Sequence, residues 1–142
     1  MKNIVAGMLI IIGFISQVAH AQDRVHLLFH LGQVAGDAFS VGGTIENRSD
    51  VAVREGFVVI IPVDKACVPG RPVLQTFGSV APGQRTTFSV AVAPAFSGYR
   101  LVGIGAVDNM GFPLPVTDDT RAVIAAREPM TRQACQASRH RE

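Results

Sequence analysis

The chain of 142 residues has no tryptophan, one tyrosine and only 6% aromatic residues. Its core must therefore be assembled from Val, Ile, Leu, Ala and Phe. Its two cysteines, Cys67 and Cys135, form no C-x-x-C pair, and its four histidines do not gather near either of them. That argues against a redox dithiol and against a structural zinc. Neither sign of charge dominates, with a formal net charge of +2. No G-x-S-x-G is present; Ser79 stands in Gly78-Ser79-Val80. Gly103-Ile104-Gly105 is half a dinucleotide fingerprint without the helix it needs. Asp108 and Asn109 are two oxygen ligands in a turn, where a calcium loop supplies five or six. Asp118 and Asp119 are adjacent, so on a helix they would not share a face. His26 and His30 have a helical metal spacing, but Leu27 stands where H-E-x-x-H requires Glu. On a strand the two histidines share a solvent face with their β-carbons about 13 Å apart. The expectation is a chain with no catalytic residues, no metal site and no cofactor, and not an enzyme.

The amino terminus has a purpose of its own. Lys2 precedes an apolar run over 4–15, and Ala19-His20-Ala21 supplies small residues for cleavage before Gln22. Residues 1–21 read as a secretory signal peptide. The run falls short of the ~20 apolar residues that span a bilayer. No cysteine follows the cleavage site to carry a lipid, so no membrane anchor is expected. Without Lys2 the chain holds twelve basic residues against eleven acidic, a net charge of about +1. Such a balance points to neither nucleic acid nor an anionic membrane as partner. In an oxidising compartment an even cysteine count reads as a disulfide, Cys67 with Cys135, closed within one chain or between two. The loop-entropy model gives roughly 4 kcal/mol for so long a loop.

What remains is all-β. Residues 38–46 alternate, with Phe39, Val41, Gly43 and Ile45 on one side. That is the period of a half-buried strand. Asn47-Arg48-Ser49-Asp50 is turn chemistry. The run over 53–63 is apolar throughout from Gly56 and rich in β-branched residues, so it reads as a strand buried on both faces, or as a central strand. Further strands are predicted over 24–30, 73–80, 85–92, 99–107 and 112–116. Turns are predicted at 32–37, Pro69-Gly70, Ala81-Pro82-Gly83-Gln84 and Asp108-Asn109-Met110-Gly111. Gly103 and Gly105 share a face of their strand and leave a shallow place for a neighbour. Thr117-Asp118-Asp119-Thr120 opens either a short helix over 118–127, with Thr117 as N-cap, or a final strand. Pro129 ends either one. Short strands with turn signals between them indicate a β-sandwich over 22–127, followed by a polar, basic C-terminal tail over 128–142.

Gly43-Thr44-Ile45-Glu46-Asn47-Arg48-Ser49-Asp50 resembles the strand and turn G-x-V/I-x-N-x-S of small secreted bacterial immunoglobulin-like or fibronectin type III-like domains. Val80-Ala81-Pro82-Gly83-Gln84, with the strand to Val90 carrying Phe88, resembles their later element. The likeness covers roughly residues 38–107 and departs from animal fibronectin domains in lacking their core Trp. The layout of short signal, single sandwich and two cysteines also resembles the small secreted interleukin receptor mimics of pathogenic enterobacteria. That resemblance implies a soluble, dimeric, cytokine-binding module, secreted through the periplasm, with host interleukins as protein partners.

Two further expectations follow. The run over 57–63 is long, apolar and without a gatekeeper charge; as an edge strand it would pair with a second copy, and a homodimer is expected, the alternative being a central strand in a single-chain protein. Recognition is placed on the loops over 64–72, 93–99 and 108–113, where Phe96, Tyr99, Met110 and Phe112 are the residue types that dominate interfaces. The other function class is a periplasmic immunoglobulin-like partner in envelope assembly or secretion.

Overall fold

Alternation builds the first sheet. In β2 (Ala38–Asn47) every second side chain from Phe39 to Asn47 is buried. β5 (Arg85–Val92) buries Phe88, Val90 and Val92 against it. β1 (Val25–Ala35) pairs with the other edge of β2, giving the order β5-β2-β1-β8 with β8 (Val116–Asp118) parallel to β1. The second sheet has the order β4-β3-β6-β7, from β4 (Val73–Phe77), β3 (Val53–Val63), β6 (Gly98–Asp108) and β7 (Pro113–Leu114). The computed structural model thus describes residues 24–141 as a β-sandwich of two four-stranded sheets followed by one helix, α1 (Arg121–Arg139). Val25, Leu27, Val41, Ile45, Val53, Val58 and Ile60 are fully buried between the sheets. The expected leader, 1–21, lies outside the described residues. No described helix is long and apolar enough to cross a membrane.

Several expectations are corrected. β3 is central, hydrogen-bonded to β4 on one side and β6 on the other, so its backbone offers no free edge to a second chain. The connection expected over 32–37 shrinks to a tight turn at Gly36-Asp37, with Gly36 at φ 60°, because β1 and β2 run on as a hairpin. A register shift between Leu27 and Phe29 also inserts one residue into β1. Side chains alternate with period two, so this bulge moves the rest of the strand to the opposite face. His26 pairs with Glu46 on the outer face, while His30 pairs with Gly43 on the inner one. The two histidines therefore do not share a face.

The carboxyl end differs most. Thr117 and Asp118 belong to β8, the N-cap is Thr120, and no acidic residue lies in the first helical turn. The helix runs through Pro129 to Arg139, so residues 128–139 are helical rather than a loose tail, and a boundary at 127 would cut the helix. Cys67 and Cys135 are bridged within the chain, Cα atoms 5.5 Å apart, which excludes an inter-chain bridge in this structure.

The motif residues hold the sandwich together. Asn47 is fully buried. Its amide donates to the carbonyls of Val51 (2.8 Å) and Val80 (3.0 Å), and its Oδ1 accepts from Ser49 N (3.0 Å) and Ser49 Oγ (2.6 Å). Gly83 takes φ 74° in the Pro82-Gly83 turn and donates its N–H to the Asn47 carbonyl at 2.7 Å. The two stretches that carry the family resemblance thus meet in one hydrogen-bonded knot.

Candidate protein-binding surface

The register of the second sheet sorts its side chains. Val58 and Ile60 of β3 face the core, with Ile104 and Leu101 of β6 opposite them. Phe57, Val59 and Ile61 therefore face outward, beside Leu74 of β4 and Gly103 and Gly105 of β6. The continuous apolar run expected to be buried on both faces is buried on one; the other is an open apolar sheet face. Leu74 is 59% exposed and Val102, beside the register shift in β6, 53%. Phe57 lies flat on this face because Gly105 leaves room: a Cβ there would come within 2.6 Å of the Phe57 ring. Val59 occupies the corresponding place beside Gly103, where a Cβ would stand 3.5 Å from its side chain. The shallow place expected at these glycines exists, and its nearest occupants are the neighbouring side chains of β3.

The β6–β7 connection lies at one end of this sheet. Asp108 Oδ1 accepts the N–H groups of Met110 and Phe112, both at 2.9 Å, and Gly111 takes φ 85°. The carboxylate thus organises the turn and lifts Met110 (78% exposed) and Phe112 (61% exposed) into solvent. Pro113 follows directly and pairs with Val107, so the apolar face reaches this corner.

The four residues singled out from the sequence do not form one patch. Met110 and Phe112 lie beyond the end of β6, whereas Phe96 and Tyr99 lie at its start, some 30 Å away along an eleven-residue strand. Phe96 and Tyr99 pack against the core. The Phe96 ring covers Gly70, where a Cβ would meet it at 2.5 Å. The open face itself was missed because a fully apolar run gives no phase; the glycines on the adjacent strand were the available signal.

Tyr99 has a partner. Its hydroxyl is 2.7 Å from His30 Nδ1, and His30 Nε2 is 3.0 Å from Thr120 Oγ1. Thr120 donates its single hydroxyl proton to Asp118 Oδ1 at 2.6 Å. It must therefore accept from His30 Nε2–H; in the neutral imidazole Nδ1 then accepts the Tyr99 O–H. Burial lowers the His30 pKa below its ordinary value, against an opposing pull from the Asp118 carboxylate. Burial pushes the Tyr99 phenol up to about 12, so it stays a donor. On the outer face, His26 Nδ1 donates to Asp119 Oδ1 at 2.8 Å, and Glu46 pairs with Arg48 at 3.0 Å. The Arg48 hydrogen bond holds the exposed Glu46 carboxyl below its usual range. Among the described residues, no group of His, Cys, Asp or Glu is placed to hold a metal.

Compared with known proteins, the chain matches no protein-family model and no curated protein. Among solved structures it is similar to one described as the structural characterization of IrmA from Escherichia coli. The TM-score is 0.46 and the identity 9%, over 69% of this chain and 91% of that one. At that distance the likeness carries no functional inference.

Proposed function

We propose that the mature chain is an exported, non-catalytic protein-binding module that engages host proteins, with interleukins as the partner class. The observation that supports it is the open apolar face around Phe57, Leu74 and Val102 on an otherwise well-packed sandwich. Contiguous exposed apolar surface on a small domain marks contact with another molecule. The Cys67–Cys135 bridge fits an oxidising destination. The strand and turn motifs around Asn47 and Pro82 resemble those of small secreted bacterial domains, and this carries the choice of partner class. Met110 and Phe112 extend the surface at its corner; Phe96 and Tyr99 lie at the far end of β6 and pack against the core.

Surface plasmon resonance of the mature protein against purified interleukins tests the reading. Saturable binding below about 10 μM, equivalent to roughly −7 kcal/mol, is expected. Leu74→Glu and Val102→Glu should each weaken it by about 1–3 kcal/mol if the face is the interface. No saturable binding, with the protein retained in the periplasm, would overturn the host-directed reading in favour of an envelope-assembly partner. Sedimentation at micromolar concentration separates a foreign partner from a second copy. A dimer that Leu74→Glu dissociates would mean the face is covered by the chain's own copy, leaving recognition to the loops.

A further inference from the structure

Strand β1 outruns its neighbour. β8 pairs with it only over 25–27, and the Asp119 N–H closes that contact on the Leu27 carbonyl. β1 then continues to Ala35, paired with β2 alone. Among the described residues no backbone hydrogen bond reaches its other edge over 29–35. In an antiparallel ladder every second residue turns its N–H and C=O away from the neighbour, so this edge is a template for one more strand.

The edge is also unguarded. Residues 29–35 hold no proline and no Lys, Arg, Asp or Glu. Phe29, Leu31 and Val34 are exposed, Val34 by 75%. The other open edges carry the devices that discourage pairing. β4 is short and follows Arg71-Pro72. β5 exposes only Arg85, Thr87, Ser89 and Ala91. β6, beyond its contact with β7, carries Arg100 and a register shift.

We propose that residues 29–35 of β1 are the interface of a homodimer, in which two copies join edge to edge into one continuous sheet across a two-fold axis. The stretch fits itself. Antiparallel pairing centred on Gly32 sets Phe29 opposite Ala35, His30 opposite Val34 and Leu31 opposite Gln33, each pair twice. Larger side chains of the first half meet smaller ones of the second, and no like charges meet. The ends fix the centre. In this register the Gly36-Asp37 turn of one copy arrives opposite Leu28 of the other, just short of the place where β8 and Asp119 occupy the edge. A centre nearer β8 would drive the turn into it. A centre nearer the turn would leave Phe29 and His30 unpaired. A foreign strand would find the same backbone groups, but matched length and matched side chains favour a second copy. So short a strand gives far less than the about 20–30 residues a side of a standard interface, so the dimer should exchange readily with free chains.

The test is sedimentation equilibrium of the disulfide-bonded mature protein between about 1 and 100 μM. A mass rising towards two subunits with concentration is expected. Leu31 and Gln33 lie opposite Gly42 and Ser40, on the outer face of the sheet, and are exposed. Leu31→Lys with Gln33→Lys would set lysines opposite each other across the axis and should weaken the dimer about tenfold or more. Leu31→Lys with Gln33→Glu would set opposite charges there and should dimerise more tightly than the double-lysine protein, the difference closing at high salt. Leu74→Glu, on the open face of the other sheet, should leave the dimer intact. All three should melt with the parent, since these side chains are exposed. One subunit mass at every concentration would overturn the proposal. So would a dimer indifferent to the double-lysine change, equal behaviour of the two charge variants, or dissociation by Leu74→Glu. A monomer whose binding to an interleukin is abolished by the double-lysine change would overturn it in favour of a foreign strand. The dimer measurements contain no interleukin, so they stand or fall apart from the binding role.

Discussion

Asn47 is the one polar residue among those described that is buried in the core, and its four hydrogen bonds join the β2–β3 turn to Val80. Asn47→Ala should cost about 2 kcal/mol, because it removes from a fully buried position the amide that donates to the Val51 and Val80 carbonyls and accepts from Ser49. Asn47→Asp should cost about 3 kcal/mol or more, because it also aims a carboxylate at those carbonyls. Urea unfolding midpoints check both, and a loss below 0.5 kcal/mol, on the order of the smallest net hydrogen-bond contribution, would refute the knot. His30 makes a pH prediction. Its folded pKa is lowered, so the unfolded chain binds the proton more readily. The contribution of neutral His30 is therefore present above the ordinary imidazole range, and is lost as pH falls from about 6.5 towards the lowered value. Between pH of about 7 and 5 the melting temperature should fall more in the parent than in His30→Gln; parallel curves would refute the assignment. The role of Asn47 was legible in the sequence as turn chemistry. The role of His30 was not: three successive apolar residues, Leu27-Leu28-Phe29, fit either face and do not mark an inserted one, so the phase change that buries His30 leaves no trace.

Elements were legible where side chains alternate and obscure where they do not. β5 is read to the residue because Phe88, Val90 and Val92 take turns with Arg85, Thr87, Ser89 and Ala91. β3 gave its position but not its open face. The last element was legible only as a helix or a strand over 118–127, with Pro129 ending either, since an interior proline costs a helix about 3 kcal/mol. What offsets that cost is non-local: the bridge to Cys67 and the Thr120 network that fixes the first turn. Two glycines show how the second sheet is built. A Cβ at Gly56 would lie against the Phe77 ring and within 2.6 Å of the Gly105 carbonyl oxygen, a backbone atom that cannot move aside. Gly56→Ala should therefore destabilise by about 2–3 kcal/mol. The atoms nearest a Cβ at Gly105 belong to the Phe57 ring on the open face, which can swing into solvent. Gly105→Ala should cost less than about 1 kcal/mol yet change binding, since it displaces Phe57. Thermal melting of the two variants separates them; equal costs would mean that Phe57 is held as firmly as Phe77.

For the molecule as a whole, the disulfide decides what the helix is to the sandwich. The bridge spans 68 residues, and a loop of that length corresponds to roughly 4 kcal/mol if only the unfolded chain is constrained. That condition fails here. α1 buries nothing, so in the reduced, folded protein the segment after Thr120 is a loose tether of about 15 residues, and closing the bridge constrains it too, by roughly 3 kcal/mol. The net contribution to the sandwich is the difference, about 1–1.5 kcal/mol. Cys67→Ser with Cys135→Ser should thus lower unfolding stability by that small amount. It should also reduce the far-ultraviolet helical signal and open residues after Thr120 to proteolysis, while the strand signal persists. A loss near 4 kcal/mol with helicity unchanged would show that packing, not the bridge, seats the helix. A small loss with the helix released means the bridge is there to position α1, since the sandwich folds without it.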